Sequence, residues 1–229
     1  EMAAERMTHQ AYHDALTGLP NRALLLDRAS QRLEHARRSP GMFALLFVDL
    51  DRFKTVNDSL GHSVGDAMLQ QLAKAMEQVL CDGCTLARLG GDEFVILVDT
   101  IEDASDALEL GRALQAAAAG PFIVEGVELS ATASIGLVVD EGDYGDAEAM
   151  LRDADTAMYR AKAMGRAQCV LFDEAMHENA RKRLDLEIDL KRAAGADQIV
   201  NYYQPIICMR TGRIKGFEAL ARWLHPERG

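Results

Sequence analysis

Residues 85–99 read TLARLGGDEFVILVD, and this stretch is the most informative part of the chain. Two apolar runs, TLARL and FVILVD, flank a turn that contains Gly90 and Gly91. Apolar runs joined by a short glycine-containing turn are a strong signal for a β-hairpin. The turn also carries two adjacent carboxylates, Asp92 and Glu93. We therefore expect a hairpin that presents a glycine pair and two acids at its tip.

The segments around the hairpin alternate between helix and strand patterns. FALLFVDL, at 43–50, is a nearly continuous apolar run, which is typical of a strand buried on both faces. Apolar residues at helical spacing predict helices over 20–38, 66–80, 103–119 and 146–164. Further strands are predicted in LSATASIGLVV and QCVLF. The order from the first strand is β, α, β, β, α, β, α, β. It predicts an α/β (α+β) fold with a ferredoxin-like, palm-type central sheet, a β-hairpin turn at the site and surrounding helices.

The pattern changes after Phe172, and the chain divides into four parts. Residues 1–12 are predicted to form an N-terminal linker helix, and 13–173 a complete domain. Residues 174–195 carry many charges with apolar residues at helical spacing, which predicts a second linker helix. Residues 196–229 predict a strand, a turn, a second strand and the start of a helix. This last part is too short to bury a core of its own, so we expect it to be the truncated start of a second domain.

Composition limits the partners of the chain. It has 36 acidic and 25 basic residues among 229, a net charge of −11, which argues against a nucleic-acid partner. No apolar run of membrane-spanning length and no secretory leader pattern is present in the sequence. We expect a cytoplasmic chain, and we leave open that an upstream region anchors the parent protein to a membrane.

Two aspartates end the predicted buried strand, close to the predicted hairpin tip. Asp49 and Asp51 are candidate oxygen ligands for a divalent cation. We interpret them as pointing to opposite faces, so that only one shares the site. The alternative is that these acids are solvated residues at a strand end. Gly90 and Gly91 favour a site, because a backbone without side chains can approach a phosphate closely.

Two further pairs of polar residues have both a functional and a structural interpretation. Asn57 and Asp66 precede a predicted helix and match the donor and acceptor edge of guanine; alternatively Asp66 caps that helix. Lys162 and Arg166 lie four residues apart at a predicted helix end, so they are expected to share one face and to bind a triphosphate. Alternatively both compensate the helix dipole.

Together these segments resemble the GGDEF family of diguanylate cyclases from about residue 13 to residue 172. The signature 90–94, GGDEF, is intact and follows Arg88. It is flanked in the family's order by DALTGLPNR, FVDLDRFKTVND, GHSVGD, ASIGL and DADTAMYRAKAMGR. The tail resembles the start of the EAL family of cyclic di-GMP phosphodiesterases, since it contains Glu218-Ala219-Leu220 within GFEALARW. The resemblance implies that Glu218 is that family's first metal ligand.

The resemblance implies a diguanylate cyclase that condenses two GTP molecules into cyclic di-GMP and two pyrophosphates as a homodimer. It implies two Mg2+ ions per site, with Mn2+ as a substitute, and an upstream sensory domain and a downstream EAL domain in the parent protein. The implied catalytic residues are Asp49, Asp92 and Glu93, which with the Leu50 carbonyl are also the metal ligands. The implied substrate-binding residues are Asn57 and Asp66 for guanine, with Phe53, Lys54, Gly90, Gly91, Lys162 and Arg166 around the triphosphate.

The chain departs from the family pattern at two places. The product-inhibition motif Arg-x-x-Asp falls on residues 81–84, which read CDGC, so we expect no inhibitory site there. We interpret Cys81 and Cys84 as ordinary thiols rather than part of a zinc or redox site. Ala167 stands where the family usually has Asn, and we expect little effect. An alternative function is a catalytically idle GTP-binding module that regulates the adjacent phosphodiesterase domain.

Overall fold

The chain divides into two units, residues 1–176 and 177–229. The computed structural model describes residues 11–39, 41–80, 82–176, 186, 189–193, 195 and 198–224. In chain order the first unit contains α1 (Arg22–Arg38), β1 (Met42–Leu50), α2 (Phe53–Leu60), α3 (His62–Glu77), β2 (Cys84–Gly90), β3 (Glu93–Ile101), α4 (Ala104–Ala119), β4 (Phe122–Val124), β5 (Val127–Leu129), β6 (Ala133–Asp140), α5 (Ala147–Ala163) and β7 (Cys169–Leu171). The second unit contains β8 (Ile199–Ile207) and β9 (Ile214–Trp223).

The first unit is built on a five-stranded mixed sheet with the order β2-β3-β1-β6-β7. Strands β2, β3, β1 and β6 pair antiparallel, and β7 joins β6 in parallel. Strand β1 lies in the middle and is buried from Phe43 onward, as its apolar run predicts. The predicted mixed α/β fold with a hairpin next to the central strand is confirmed.

Helices cover both faces of the sheet. Side chains alternate along β1, so Leu46 and Val48 pack into a core with α3 and α4, while Leu45 and Phe47 pack into a second core with α1 and α5. Asp49 follows Phe47 by two residues and therefore lies on the sheet face that α5 covers.

Side-chain caps explain where three of the helices begin. Asn21 accepts hydrogen bonds from the backbone at the start of α1, and Asp103 and Asp146 do the same for α4 and α5. Short polar side chains at these positions satisfy N–H groups that have no partner inside the helix. The predicted boundaries of these three helices are therefore correct to within two residues.

Helix α5 packs on the sheet at Gly136, without a side chain between them. A Cβ atom at Gly136 would overlap Ala154 O and Met158 N and would lie 2.7 Å from Ala157 C. Only glycine leaves room for the helix backbone at this distance. The close approach fixes the height and position of α5, which carries Lys162, over β6 and β1.

Two parts of the first unit differ from the sequence prediction. Helix α2 was not predicted, and α3 begins at His62, so Asp66 lies inside the helix and does not cap it. The small hairpin β4–β5 was also missed. Asn, Asp, Ser and Gly between 57 and 66 are typical of loops, and tertiary packing overrides this preference here.

The second unit contains a hairpin in which β8 pairs antiparallel with β9, as the strand-turn-strand pattern predicts. Most of its side chains are exposed. The predicted N-terminal linker helix lies largely outside the described residues, as does much of the helix predicted over 174–195, of which 189–193 are helical. The predicted helix start after β9 falls on 225–229, also outside them. Within the described ranges, no helix is long and apolar enough to cross a bilayer.

Substituting Gly136 by alanine tests the packing of α5. Because the new methyl group would overlap helix backbone, which cannot move aside as a side chain can, we expect Gly136→Ala to lower the free energy of unfolding by about 3 kcal/mol. Urea denaturation measures this loss. Gly41→Ala is the matched control, since its nearest atom would be Arg32 Nη2 at 3.6 Å, and we expect a change within about 0.5 kcal/mol. Equal stability of the two variants would contradict the packing described here.

Candidate active site

The hairpin turn between β2 and β3 has an unusual backbone. Gly90 and Gly91 have φ values of 142° and 53°, a region that L side chains rarely adopt. The turn is held by Arg88, whose Nε and Nη2 donate to the Gly91 carbonyl at 3.0 and 2.7 Å. The glycine pair is thus required by the conformation, and the turn is fixed by a side chain of the preceding strand.

Arg88 also joins the turn to the segment before α1. Its Nη1 donates to Asp14 Oδ1 at 2.8 Å, and both side chains are largely buried. Thr17 donates to the same oxygen from its N–H at 2.9 Å and its hydroxyl at 2.6 Å. Burial acts to raise the pKa of Asp14, but the bonds from Thr17 and Arg88 outweigh it and lower the pKa. Asp14 is therefore a charged anchor for the turn.

Two carboxylates face each other across the central strands. Asp49 of β1 pairs with Glu93 of β3 in the strand register, so their side chains share a face at close range. Burial raises the pKa of Asp49, and Asp92 adds to the rise. Burial also raises the pKa of Glu93, with Asp155, Asp49 and Asp92 adding to it. The end of β1 and the hairpin tip therefore hold an excess of negative charge.

A lysine from α5 neutralises part of this charge. Lys162 Nζ lies 2.7 Å from Asp49 Oδ1 and lowers the pKa of Asp49 against the effects that raise it. In the described part of the chain, no three His, Cys, Asp or Glu side chains lie close enough to hold a metal ion. The donors nevertheless fit a hard divalent cation, because they are carboxylate oxygens whose mutual repulsion a cation would relieve. Leu50, whose carbonyl is the other predicted ligand, is the last residue of β1.

Asp51 lies on the same side as Asp49, and the interpretation that the two point to opposite faces is wrong. Residues two apart in an extended strand share a face, since side chains alternate. Asp51 is buried and contacts Ala167 and Arg166, just beyond α5, while Asp49 contacts Lys162 within α5.

The expectation that Lys162 and Arg166 share one helix face is also wrong. Helix α5 ends at Ala163, and Arg166 lies beyond it with a φ of 66°. Its Nε is 3.9 Å from Asp51 Oδ1. The two cations still meet at the end of β1, where Lys162 contacts one aspartate and Arg166 the other.

The predicted guanine-binding residues come from two adjacent helices. Asn57 lies in α2, and its Oδ1 is buried with no hydrogen-bond partner among the described residues. This atom sits against Gly65 of α3, where a Cβ would overlap it and would lie 3.1 Å from Phe53 Cζ. Asp66, the next residue, is exposed, as is Lys54. Asn57 and Phe53 thus lie against Gly65, and Asp66 follows Gly65 in the chain.

One further acid near the site was missed. Asp155 lies on α5 seven residues before Lys162, a spacing that puts both on the same helix face. Its charge raises the pKa of Glu93 more than any other carboxylate does. The protein groups around Asp155 shield it from part of the solvent, which raises its pKa, and the charge of Lys162 lowers it. The Asp155 side chain still contacts solvent. The seven-residue spacing of Asp155 and Lys162 within DADTAMYRAK is the sequence signal that could have identified Asp155.

Comparison with known proteins identifies the class of domain that carries this site. A family model described as diguanylate cyclase, GGDEF domain, matches residues 11–168. A model described as EAL domain matches residues 187–229. The chain belongs to the GGDEF family of diguanylate cyclase domains, and the start of an EAL domain follows, as the resemblance implies.

Curated relatives cover nearly all of the chain. It is 41% identical over 227 residues to the bifunctional diguanylate cyclase/cyclic di-GMP phosphodiesterase MucR of Pseudomonas aeruginosa, covering 99% of this chain and 33% of MucR. It is 37% identical over 227 residues to the cyclic di-GMP phosphodiesterase PdeR of Escherichia coli, covering 99% of this chain and 34% of PdeR. The chain spans about a third of the length of these relatives.

Solved structures of GGDEF domains share the fold. The GGDEF domain of TpbB (YfiN) from Pseudomonas aeruginosa is 36% identical with a TM-score of 0.71, covering 74% of this chain and 99% of that one. The active GGEEF domain of a diguanylate cyclase from Vibrio cholerae is 28% identical with a TM-score of 0.62, covering 67% of this chain and 97% of that one. The predicted palm-type fold is therefore confirmed.

The anchor of the turn predicts a pH-dependent stability difference. Because the folded-state pKa of Asp14 is lowered, its carboxylate stabilises the fold above its unfolded pKa, and this contribution is lost as pH falls through the folded pKa. We expect Asp14→Asn to be less stable than the wild type by about 1–3 kcal/mol at neutral pH. The gap should close as the pH falls below about 4.

Urea denaturation of both proteins across this pH range measures the gap. Asp27→Asn is the control, because it removes an exposed carboxylate that accepts a bond from Gln31 of its own helix. The control should differ little from the wild type at any pH. A gap for Asp14→Asn that stayed constant into acid would contradict the anchor.

Proposed function

We propose that the first unit is a diguanylate cyclase that condenses two GTP molecules into cyclic di-GMP and two pyrophosphates with Mg2+. We further propose that it acts in a tandem GGDEF-EAL signalling protein. The observation that carries the proposal is the pairing of Asp49 with Glu93 beside a glycine turn, with Lys162 on Asp49. This arrangement offers an excess of carboxylates that could bind metal ions. It also offers the ammonium group of Lys162, which could move from Asp49 to the phosphates.

Asp49, Asp92, Glu93 and the Leu50 carbonyl would hold two Mg2+ ions, and Mn2+ would serve as a substitute. Bound there, the metal would neutralise phosphate charge and favour deprotonation of the attacking hydroxyl. The support from this chain is that burial, and after it repulsion among neighbouring acids, raises the pKa values of Asp49 and Glu93, so a cation bound there would be favoured.

Lys162 and Arg166, together with the backbone of Gly90 and Gly91, would bind the triphosphate. Lys162 is the residue that must change partner, because its ammonium group now contacts Asp49. A triphosphate offers it more negative charge than one carboxylate does, and charge-assisted bonds of this kind are strong. The exchange would release Asp49 when the nucleotide binds.

Asn57 and Asp66 would recognise guanine, with Phe53 and Lys54 beside the nucleotide. Among the described residues, Asn57 Oδ1 is a buried acceptor without a hydrogen-bond partner, and leaving such an atom unsatisfied costs about 1–3 kcal/mol. An N–H group of guanine would satisfy it. The close fit against Gly65 also fixes the position of Asn57.

The reaction requires two copies of this domain that face each other, each presenting one GTP. The 3′-oxygen of each nucleotide forms a bond to the α-phosphorus of the other, each hydroxyl loses its proton, and each α-phosphorus loses its bond to pyrophosphate, so two pyrophosphates leave. Positioning of the two substrates accounts for much of the rate gain in such reactions. We propose a homodimer as the active form, with an upstream sensory domain and the downstream EAL domain as its regulators.

A second candidate is a GTP-binding module that regulates the EAL domain without turnover. Two observations favour it. The ion pair between Asp49 and Lys162 occupies a proposed metal ligand. One of the relatives, PdeR, is named as a cyclic di-GMP phosphodiesterase and matches across 99% of this chain.

Removing one proposed metal ligand separates the two candidates. Incubated as a dimer with GTP and Mg2+, the wild type should release cyclic di-GMP and pyrophosphate, and Asp92→Ala should lower the rate by about 100-fold or more. Chromatography of the nucleotides measures both. Asp143→Ala, which removes an exposed carboxylate from the loop before α5, should keep the wild-type rate. GTP binding without product in the wild type would favour the regulatory module.

We infer that product feedback through residues 81–84 is missing. Gly83 and Cys84 carry no charge, and they border a cavity of about 740 Å3 that is also lined by Arg28, Arg32 and His35. Without the motif's arginine and aspartate, the hydrogen bonds that would hold a guanine base are lost. The basic side chains alone attract phosphate without fixing the ligand.

Calorimetric titration with cyclic di-GMP should therefore show weak binding, and added product should not slow the cyclase. The double variant Cys81→Arg and Cys84→Asp restores the motif and should gain tight binding and inhibition. Tight binding of cyclic di-GMP to the unaltered chain, mapped to residues 81–88, would contradict this inference.

A further inference from the structure

Asp51 is buried and surrounded by donors. Its side chain is 3% exposed. Thr132 Oγ1 donates to Oδ2 at 2.6 Å, and Ser134 Oγ donates to Oδ1 at 2.7 Å. The N–H of Ala167 donates to Oδ2 at 3.1 Å, and Arg166 Nε lies 3.9 Å from Oδ1. A carboxylate has about four lone-pair sites, so these contacts use most of its capacity.

The segment that Asp51 contacts is strained. We call Gly165, Arg166 and Ala167 the 165–167 turn; their φ values are 123°, 66° and 49°. The first value belongs to a common helix ending, in which Arg166 N–H donates to Ala161 O at 3.0 Å and Gly165 N–H to Lys162 O at 3.4 Å. Arg166 and Ala167 continue in the left-handed region, which costs about 1–2 kcal/mol for each L residue. The turn therefore needs an outside contact to keep this shape.

We propose that Asp51 is a positioning residue that holds the 165–167 turn and thereby presents Arg166 to the substrate. Its bond from the Ala167 N–H stabilises the strained backbone, and its charge keeps the Arg166 side chain beside the site. Thr132 and Ser134 in turn fix the carboxylate. The identity of the substrate as GTP rests on the proposed function, whereas the hold on the turn does not.

The two aspartates at the end of β1 thus have different roles. Asp49 has an ion pair with one long, flexible lysine, which a cation can replace. Asp51 is already satisfied by hydroxyl and backbone donors. Asp51 is therefore not a metal ligand, and its removal should leave the metal requirement unchanged.

Ala167 makes the turn depend on Asp51. Asn tolerates the left-handed region better than Ala does, because its short polar side chain can bond locally. The alanine at a position where the family usually has asparagine was expected to have little effect. The φ of 49° gives this departure a physical cost, which the bond to Asp51 offsets.

Asp51→Asn in the full 229-residue chain tests the proposal, with two readouts. Amide hydrogen exchange of residues 164–168 should become about tenfold faster, because a charge-assisted bond to the turn is lost. The Kd for a non-hydrolysable GTP analogue with Mg2+ should rise about tenfold. In turnover, KM should rise while kcat stays within about twofold and the Mg2+ requirement is unchanged.

Adding Ala167→Asn to Asp51→Asn should slow the exchange again and recover part of the affinity, since it relieves the strain that Asp51 offsets. A purely structural loss elsewhere would not respond to a substitution in the turn. Asp143→Asn, which removes an exposed carboxylate outside the site, should match the wild type in both readouts.

Unchanged exchange at 164–168 in Asp51→Asn would overturn the proposal, whether or not the chain binds GTP. A raised Mg2+ requirement at unchanged GTP affinity would overturn it too, because it would make Asp51 a metal ligand. Failure of the wild type to bind GTP contradicts only the proposed function, and the exchange data still test Asp51. If Asp51→Asn does not fold, Thr132→Val must show the same local acceleration at smaller size, and its absence would overturn the proposal.

Discussion

The pairing of Asp49 with Glu93 across β1 and β3 is the constraint on which the site depends. Like charges directly opposite in a sheet destabilise it, and these two also lie where the protein shields them from water. Lys162 neutralises part of this negative charge. It reaches Asp49 from α5 because Gly136 lets the helix backbone approach the sheet. A stable sheet interior thus supports an electrostatically unfavourable edge, which is the kind of place where a cation and an anionic substrate bind.

Much of the fold follows from local sequence patterns, namely apolar runs, turn glycines and helix-capping residues. The glycine turn between two apolar runs predicted the β2–β3 hairpin, and the continuous apolar run predicted the buried β1. Helices with side-chain caps, such as α4 at Asp103, were placed to within two residues. These elements are local, so hydrophobic period and turn chemistry are enough to define them. The elements that were missed, α2 and the β4–β5 hairpin, are short and take their stability from packing on the rest of the domain.

The site was less predictable than the fold, because its geometry depends on contacts between distant segments. The face on which Asp51 lies follows from strand alternation, but its bonds to Thr132 and Ala167 join three separate parts of the chain. The position of Arg166 depends on a left-handed turn after α5, and a helix pattern extended past its end put the residue on the wrong face. No pattern in the sequence indicated that the Asn57 oxygen is buried and finds no partner in the part of the chain that the structure describes, since burial is a tertiary property.

We propose that Asp49, Glu93 and Lys162 form a site in which nucleotide and metal replace an internal ion pair. A crystal structure of the chain with Mg2+ and a non-hydrolysable GTP analogue tests this exchange. We expect Lys162 to leave Asp49 for the phosphates and oxygens of Asp49 and Glu93 to bind the metal. A nucleotide bound elsewhere, or bound here with the 2.7 Å pair between Lys162 and Asp49 intact, would contradict it.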